Sequence, residues 1–259
     1  MNAELAAVPI EAAEAYFIEV SKISKKLGRT QALSDVSLHF ESGKMHGIIG
    51  PEGAGKTTLM RCILRLLFPN EGTVEIKRMA DNHVLDLQEM REKVTYMPQQ
   101  QSLYADLSIE EHLEFFRALY QVPKEIYQAR RKELLHITQL EPFVDRPAGA
   151  LSGGMYKKLG LTCALLRSPE ILLLDEPTNG VDPISRRDFW DLLYRLLDRH
   201  ILILVTTAYM DEAERCSKVH LLDSGHVVDA GEPKALLDKH QVRDFDELFL
   251  KRGKERTLV

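Results

Sequence analysis

The chain has 259 residues, with 34 Lys and Arg against 39 Asp and Glu, a formal net charge of -5. That balance offers no basic footprint, so no nucleic-acid partner is expected, and the length allows one domain or two small lobes around a sizeable core. Cys62, Cys163 and Cys216 are scattered, odd in number and without metal or redox spacing, which points to a reduced, cytosolic setting rather than a disulfide frame. No apolar run reaches the length of a membrane span, and no basic stretch leads into an apolar one at the N-terminus, so any membrane crossing falls to another chain.

In chain order, residues 1–16 are rich in Ala and Glu and are expected to form a loose or weakly helical extension. Strand-like pieces follow at 17–20, 32–40, 45–49 and 73–76, separated by turns such as Glu41-Ser42-Gly43 and Pro69-Asn70-Glu71-Gly72, an antiparallel-looking apron. Between the third strand and a helix expected over 58–67 lies Gly50-Pro51-Glu52-Gly53-Ala54-Gly55-Lys56-Thr57. This matches G-x-x-x-x-G-K-[ST], whose glycines let backbone N–H groups close around phosphates while the Lys and Thr address the β/γ-phosphates and Mg²⁺.

From Ser108 the period changes. Ser108 and Glu111 form a capping box, Ile109, Leu113, Phe116 and Tyr120 share one helical face, and the stretch to about 151 reads as a mostly helical second lobe. Leu151-Ser152-Gly153-Gly154 then opens another helix; Ser152 can cap it, leaving free N–H groups that favour an anion. Apolar runs at 171–174 and 201–205 flank a helix over 185–198 with Phe189, Leu193, Leu196 and Leu197 inward, as buried parallel strands require. The first run ends in Asp175-Glu176, at the carboxyl end of a strand where open α/β sheets place ligands. Asp175 can share Mg²⁺ with Thr57, and Glu176 can orient or deprotonate an attacking water.

Together these residues resemble the nucleotide-binding subunits of ABC transporters, from Phe17 to about Asp238. Gly50 to Thr58 resembles the Walker A loop, Gln99 in Tyr96-Met97-Pro98-Gln99 the Q-loop glutamine, Leu151 to Met155 the signature, Ile171 to Glu176 Walker B, and Gly180-Val181-Asp182 the D-loop. The wording is most similar to the drug and antibiotic exporter branch. The resemblance implies an α/β P-loop NTPase with a RecA-like core, an antiparallel β subdomain and a helical subdomain at about 100–151, within a domain at 17–238 and followed by a short C-terminal tail at 239–259. It implies ATP and Mg²⁺ as ligands, held by Gly50, Pro51, Glu52, Gly53, Ala54, Gly55, Lys56, Thr57 and Thr58, with Leu27 at the adenine and Thr57, Gln99 and Asp175 at the metal. Glu176 would act on water and Gln99 would sense the γ-phosphate. Ser152, Gly153, Gly154 and Asp182 would serve nucleotide at the interface of a head-to-tail dimer, with a copy of the chain or a companion ATPase as the second subunit. Separate transmembrane permease subunits would carry export, placing the chain in the cytoplasm, peripheral on the inner membrane.

Three departures stand out. Ala208, in Val205-Thr206-Thr207-Ala208-Tyr209-Met210, occupies the place of the family's switch histidine. Leu27 replaces the common aromatic partner of adenine, and Glu52 stands where asparagine is usual, so its carboxylate is expected to face away from phosphate. Met155 also differs from the commoner glutamine, as it does elsewhere in the exporter branch. His200, His220 and His226 are read as surface or structural residues rather than replacements for the switch. The alternative function is a slow regulatory subunit paired with a competent ATPase, which Ala208 favours and Glu176 opposes. A soluble ATPase of translation or DNA repair fits less well, because neither tandem domains nor long coiled coils are present.

Overall fold

A computed structural model of the chain describes residues 14–100 and 103–257, so the extension at 1–16 lies outside the described residues except at its end. Two sheets meet at the phosphate loop. Strands β1 (Tyr16–Leu27), β2 (Thr30–Glu41), β3 (Met45–Ile49) and β4 (Glu71–Arg78) come first; β2-β1-β4 form an antiparallel apron, whereas 45–49, expected in it, is a fully buried strand that joins the second sheet in parallel pairings. Ile18 faces Phe40 on one side and Ile76 on the other, and its alternation with Val20 buries one face of the sheet. β1 runs well past the 17–20 expected, because register shifts after Val20 and a positive φ at Lys22 let it continue through a Lys-rich stretch.

The second sheet collects β5 (Val94–Met97), β6 (Ile171–Asp175), β7 (Leu202–Thr207), β8 (Lys218–Asp223) and β9 (His226–Gly231) around β3, in the order β5-β6-β7-β3-β8-β9. All its pairings are parallel except β8 with β9. Both faces are covered, which is why its strands read as unbroken apolar runs. Ile171, Leu173, Leu202 and Leu204 face a core shared with the apron and helix α1 (Lys56–Ile63); Leu172, Leu174, Ile203 and Val205 face a second core.

Helix α2 (Leu87–Lys93) is fixed by an Asp86–Glu89 capping box. The second core is built with α3 (Ile109–Leu119), α4 (Lys124–Thr138), α5 (Gly153–Leu165) and α6 (Pro183–Leu197). The Ser108–Glu111 box forms as read: Glu111 N donates to Ser108 Oγ at 3.2 Å, and Ser108 N donates to Glu111 Oε2 at 2.7 Å. On α6, Phe189, Leu193 and Leu196 are buried and Leu197 partly so, joined by Trp190 and Leu192. α1 starts and stops earlier than the expected 58–67, because Gly55 (φ 105°) begins it and Arg65 (φ 55°) turns the chain away. Near the C-terminus lie α7 (Pro233–His240) and α8 (Phe245–Thr257), with Phe245 and Leu248 buried in the second core beside Ala213.

The three cysteines are free and buried. His200 and His226 are exposed, whereas His46 and His220 pair inside the apron-side core, with His46 Nδ1 and His220 Nε2 3.2 Å apart. Glu41 N donates to His46 Nε2 at 3.0 Å. Burial pushes the His46 imidazole down to about 4 and that of His220 well below its usual range.

Candidate functional site

The loop after β3 is forced by close packing. A Cβ at Gly50 would lie 2.0 Å from the Leu222 carbonyl oxygen, and Gly55 combines a φ of 105° with a 2.5 Å approach to the Ala32 oxygen, so neither position accepts a side chain without a shift. Gly53 (φ 77°) turns the loop, and Ala54 N donates to Pro51 O at 3.2 Å to close it. Lys56, at the first turn of α1 and 4% exposed, donates from Nζ to Gly50 O (2.8 Å) and Pro51 O (3.1 Å). Glu52 is exposed.

β6 delivers the acidic pair. Asp175 is fully buried and lies in register with Thr206 on β7. It accepts from Thr206 Oγ1 (2.6 Å), Thr57 Oγ1 (3.2 Å) and Tyr96 OH (3.1 Å). Burial, and then the Asp175 carboxylate, hold the Tyr96 phenol above its ordinary range, so it stays a donor.

Glu176 follows with φ 45°, a left-handed conformation costly for a residue with a Cβ, held by donation from its N–H to Thr206 O (3.1 Å) and Oγ1 (3.0 Å). Its carboxylate lies 3.2 Å from Lys56 Nζ and accepts from Gln99 Nε2 (2.7 Å) and Asn179 Nδ2 (3.3 Å). Lys157 on α5 donates to the Gln99 carbonyl at 3.0 Å, tying this loop to the signature helix. A cavity of about 110 Å³ beside Glu176 is lined by Glu52, Asn179, Thr207, Ala208 and Tyr209.

The remaining expected residues sit elsewhere. Ser152 caps α5 by accepting from Met155 N at 3.3 Å, and Asp182 caps α6 by accepting from Ile184 N (3.1 Å) and Ser185 N (3.0 Å). Those backbone donors, Ser185 foremost, lower the Asp182 carboxyl below its usual range. A Cβ on Gly154 would come within 2.5 Å of Ser185, so the signature and the D-loop helix are in close contact. Leu27 ends β1 and is 43% exposed.

The sequence reading left out Tyr96, Thr206, Asn179 and Lys157 as site residues. The available signal was register: polar residues at the carboxyl ends of parallel neighbours of β6 converge on its terminal carboxylate. The donor set at Asp175 suits Mg²⁺, with hard oxygens from one carboxylate and one hydroxyl and phosphates to complete the shell. Among the described residues no three His, Cys, Asp or Glu side chains converge on a metal site of their own.

A glycine-rich loop running into a helix, with Lys and Thr facing a strand-end Asp-Glu pair, defines a P-loop nucleotide-binding protein. Residues 33–179 match the ABC transporter family, and the chain belongs to that family as an ATP-binding domain. It is 43% identical over 214 residues to the probable multidrug ABC transporter ATP-binding protein YbhF of Escherichia coli (strain K12), spanning 83% of this chain and 37% of that protein. It is 34% identical over 233 residues to the Nod factor export ATP-binding protein I of Burkholderia lata, spanning 90% of this chain and 76% of that protein. Among solved structures it is similar to a dimeric bacterial ABC transporter cassette, MJ0796, with a TM-score of 0.71 and 27% identity over 83% of this chain and 98% of that one. The chain thus spans little more than a third of YbhF and about three quarters of the Nod factor protein.

Proposed function

We propose that this chain binds and hydrolyses Mg·ATP at a head-to-tail dimer interface and drives export through a separate membrane-spanning subunit. The observation that carries the reading is the convergence of Lys56, Thr57, Asp175 and Glu176 beside the glycine loop. Lys56 would exchange Glu176 for the β/γ-phosphates. Thr57 and Asp175 would hold Mg²⁺, which when bound offsets phosphate charge. Glu176, freed from Lys56, would orient a water and accept its proton as the water oxygen bonds to the γ-phosphorus and the bond to the bridging oxygen of ADP breaks.

The capped N-terminus of α5, with Ser152, Gly153 and Gly154, offers free N–H groups suited to the γ-phosphate held by a second subunit, and Asp182 would sit at the same interface. Leu27 would pack on the adenine without an aromatic stacking increment. Gln99, bonded to Glu176 and tied to α5 through Lys157, would carry the state of the site to the helical lobe and the membrane partner. The similar MJ0796 cassette is described as dimeric, and the similar Nod factor protein as an export protein, which supports both halves of the reading. No described helix is long and apolar enough to cross a membrane; on the likeness to export ATP-binding proteins, the crossing is assigned to a separate subunit and this chain to the cytoplasmic face. With Ala208 at the switch position no imidazole reaches the γ-phosphate, and turnover of the isolated subunit should be slow.

The deciding experiment is sizing with light scattering on Glu176→Gln at saturating Mg·ATP. A nucleotide-dependent dimer is expected. A monomer only would remove the shared-interface reading.

A further inference from the structure

We infer that Asn179, held by Tyr209, positions Glu176 in place of the switch histidine that this chain lacks. The inference rests on the proposed hydrolysis and concerns one of the two tasks an imidazole at 208 would perform, fixing the carboxylate; the other, bonding the γ-phosphate, is left unfilled. Asn179 Nδ2 donates to Glu176 Oε2 at 3.3 Å, and its Oδ1 accepts from Tyr209 OH at 3.5 Å, so the amide has one assigned orientation between the two. Asn179 N also donates to the Glu176 carbonyl at 3.2 Å, closing the turn that carries both side chains.

Tyr209 is itself pinned. The Arg186 guanidinium lies over its ring, 4.1 Å from the centroid, and pairs with Asp211 Oδ2 at 3.6 Å and Glu212 Oε1 at 3.8 Å. Glu212 is fully buried and accepts from Thr178 Oγ1 (2.7 Å) and Trp190 Nε1 (3.1 Å). One buried carboxylate therefore ties the loop after β6, which carries Asn179, to the turn after β7, which carries Tyr209. Glu176, Asn179, Ala208 and Tyr209 line one cavity, so the side chain at 208 and Asn179 face the same space beside the carboxylate. Asn179 is exposed in the free subunit. Closure of a second subunit over this face would exclude water, the condition in which a hydrogen bond to a carboxylate counts most.

The test is a double-mutant cycle of Asn179→Ala and Ala208→His, with Tyr209→Phe as a milder third variant. In the wild-type background Asn179→Ala should lower kcat about tenfold, as loss of a bond to a charged group implies. KM, the ADP dissociation constant by calorimetry and the melting temperature should stay close to wild type. In sizing runs with Mg·ATP its dimer should outlast the wild-type dimer, since closure is intact and only hydrolysis is slowed. In the Ala208→His background the same change should cost under about threefold, because the imidazole then fixes Glu176. Tyr209→Phe keeps the ring under Arg186 and should lose less than Asn179→Ala. An unchanged kcat in Asn179→Ala overturns the inference. So does a loss of kcat accompanied by equal loss of ADP affinity and stability, unrelieved by Ala208→His, which marks a structural residue. A wild type that binds Mg·ATP but never hydrolyses it removes the proposed function, and this inference with it.

Discussion

Glu176→Gln should tighten ADP binding to the monomer, before any dimer forms. In the free protein Lys56 is 4% exposed and its Nζ sits 3.2 Å from the Glu176 carboxylate, so the carboxylate stands where a phosphate oxygen would bind. At that distance the gross attraction at an effective dielectric of 20 is about 5 kcal/mol, an upper bound because both groups were desolvated to make it. The net worth of a hydrogen bond to a charged group is about 1.5–3 kcal/mol, and binding nucleotide must give that up. Glutamine keeps the shape and removes the charge, leaving Lys56 beside neutral acceptors alone, the Gly50 and Pro51 carbonyls and an amide oxygen. ADP affinity should therefore rise about tenfold or more, at roughly 1.4 kcal/mol per decade. The nucleotide-free variant should also melt lower than wild type, with ADP restoring more than the difference. Because the pair is buried, the affinity ratio should persist as salt is raised. Isothermal calorimetry with ADP, which lacks the γ-phosphate on which the proposed closure depends, isolates the effect; equal dissociation constants in the two proteins would refute competition by Glu176 for Lys56.

Three further outcomes are expected. Lys56→Ala should abolish tight nucleotide binding, whereas Ser152→Arg should bind Mg·ATP as wild type does and fail to dimerise; calorimetry and sizing separate them. Ala208→His should raise steady-state ATPase about tenfold by supplying a bond to the γ-phosphate, with little change in nucleotide affinity. Stability should fall with acid through the His46–His220 pair. The folded protein keeps His46 neutral down to about 4 while the unfolded chain takes its proton near 6.5, so between those values the unfolded state binds more protons, their uptake stabilises it, and folding stability falls as pH falls. Denaturant titrations should show folding stability declining by about 1 kcal/mol per pH unit below 6.5 from His46 alone, and the slope should flatten in a His46→Gln, His220→Gln double variant.

What the sequence disclosed and what it hid divide along physical lines. The glycine loop, the Ser108–Glu111 box and the apolar runs of β6 and β7 are local patterns, and each folds close to where the pattern lies. The second half of β1 was hidden because Lys22, Lys25 and Lys26 break the apolar alternation while the backbone continues through its register shifts. α2 was hidden because only Met90 of its residues is buried, and α8 because its apolar contacts, Phe245, Leu248 and the partly buried Phe249, are bunched at its start rather than repeated along the helix. At the site, Asp175 and Glu176 were readable from their place at a strand end. Tyr96 and Thr206 were not, since they meet Asp175 only through lateral pairing of strands far apart in the chain.

The packing of α8 has a practical consequence. Phe245 and Leu248 share a core with Ala213, in the 3-10 turn Met210–Arg215 that follows Tyr209, while Leu250 on the same helix is 66% exposed. A small fluorophore carried by cysteine at position 250, in a protein whose three native cysteines are all buried, would sit on a helix braced against the turn that follows Tyr209, which lines the cavity beside Glu176. It offers a way to watch that turn shift during turnover without placing a label in the nucleotide site.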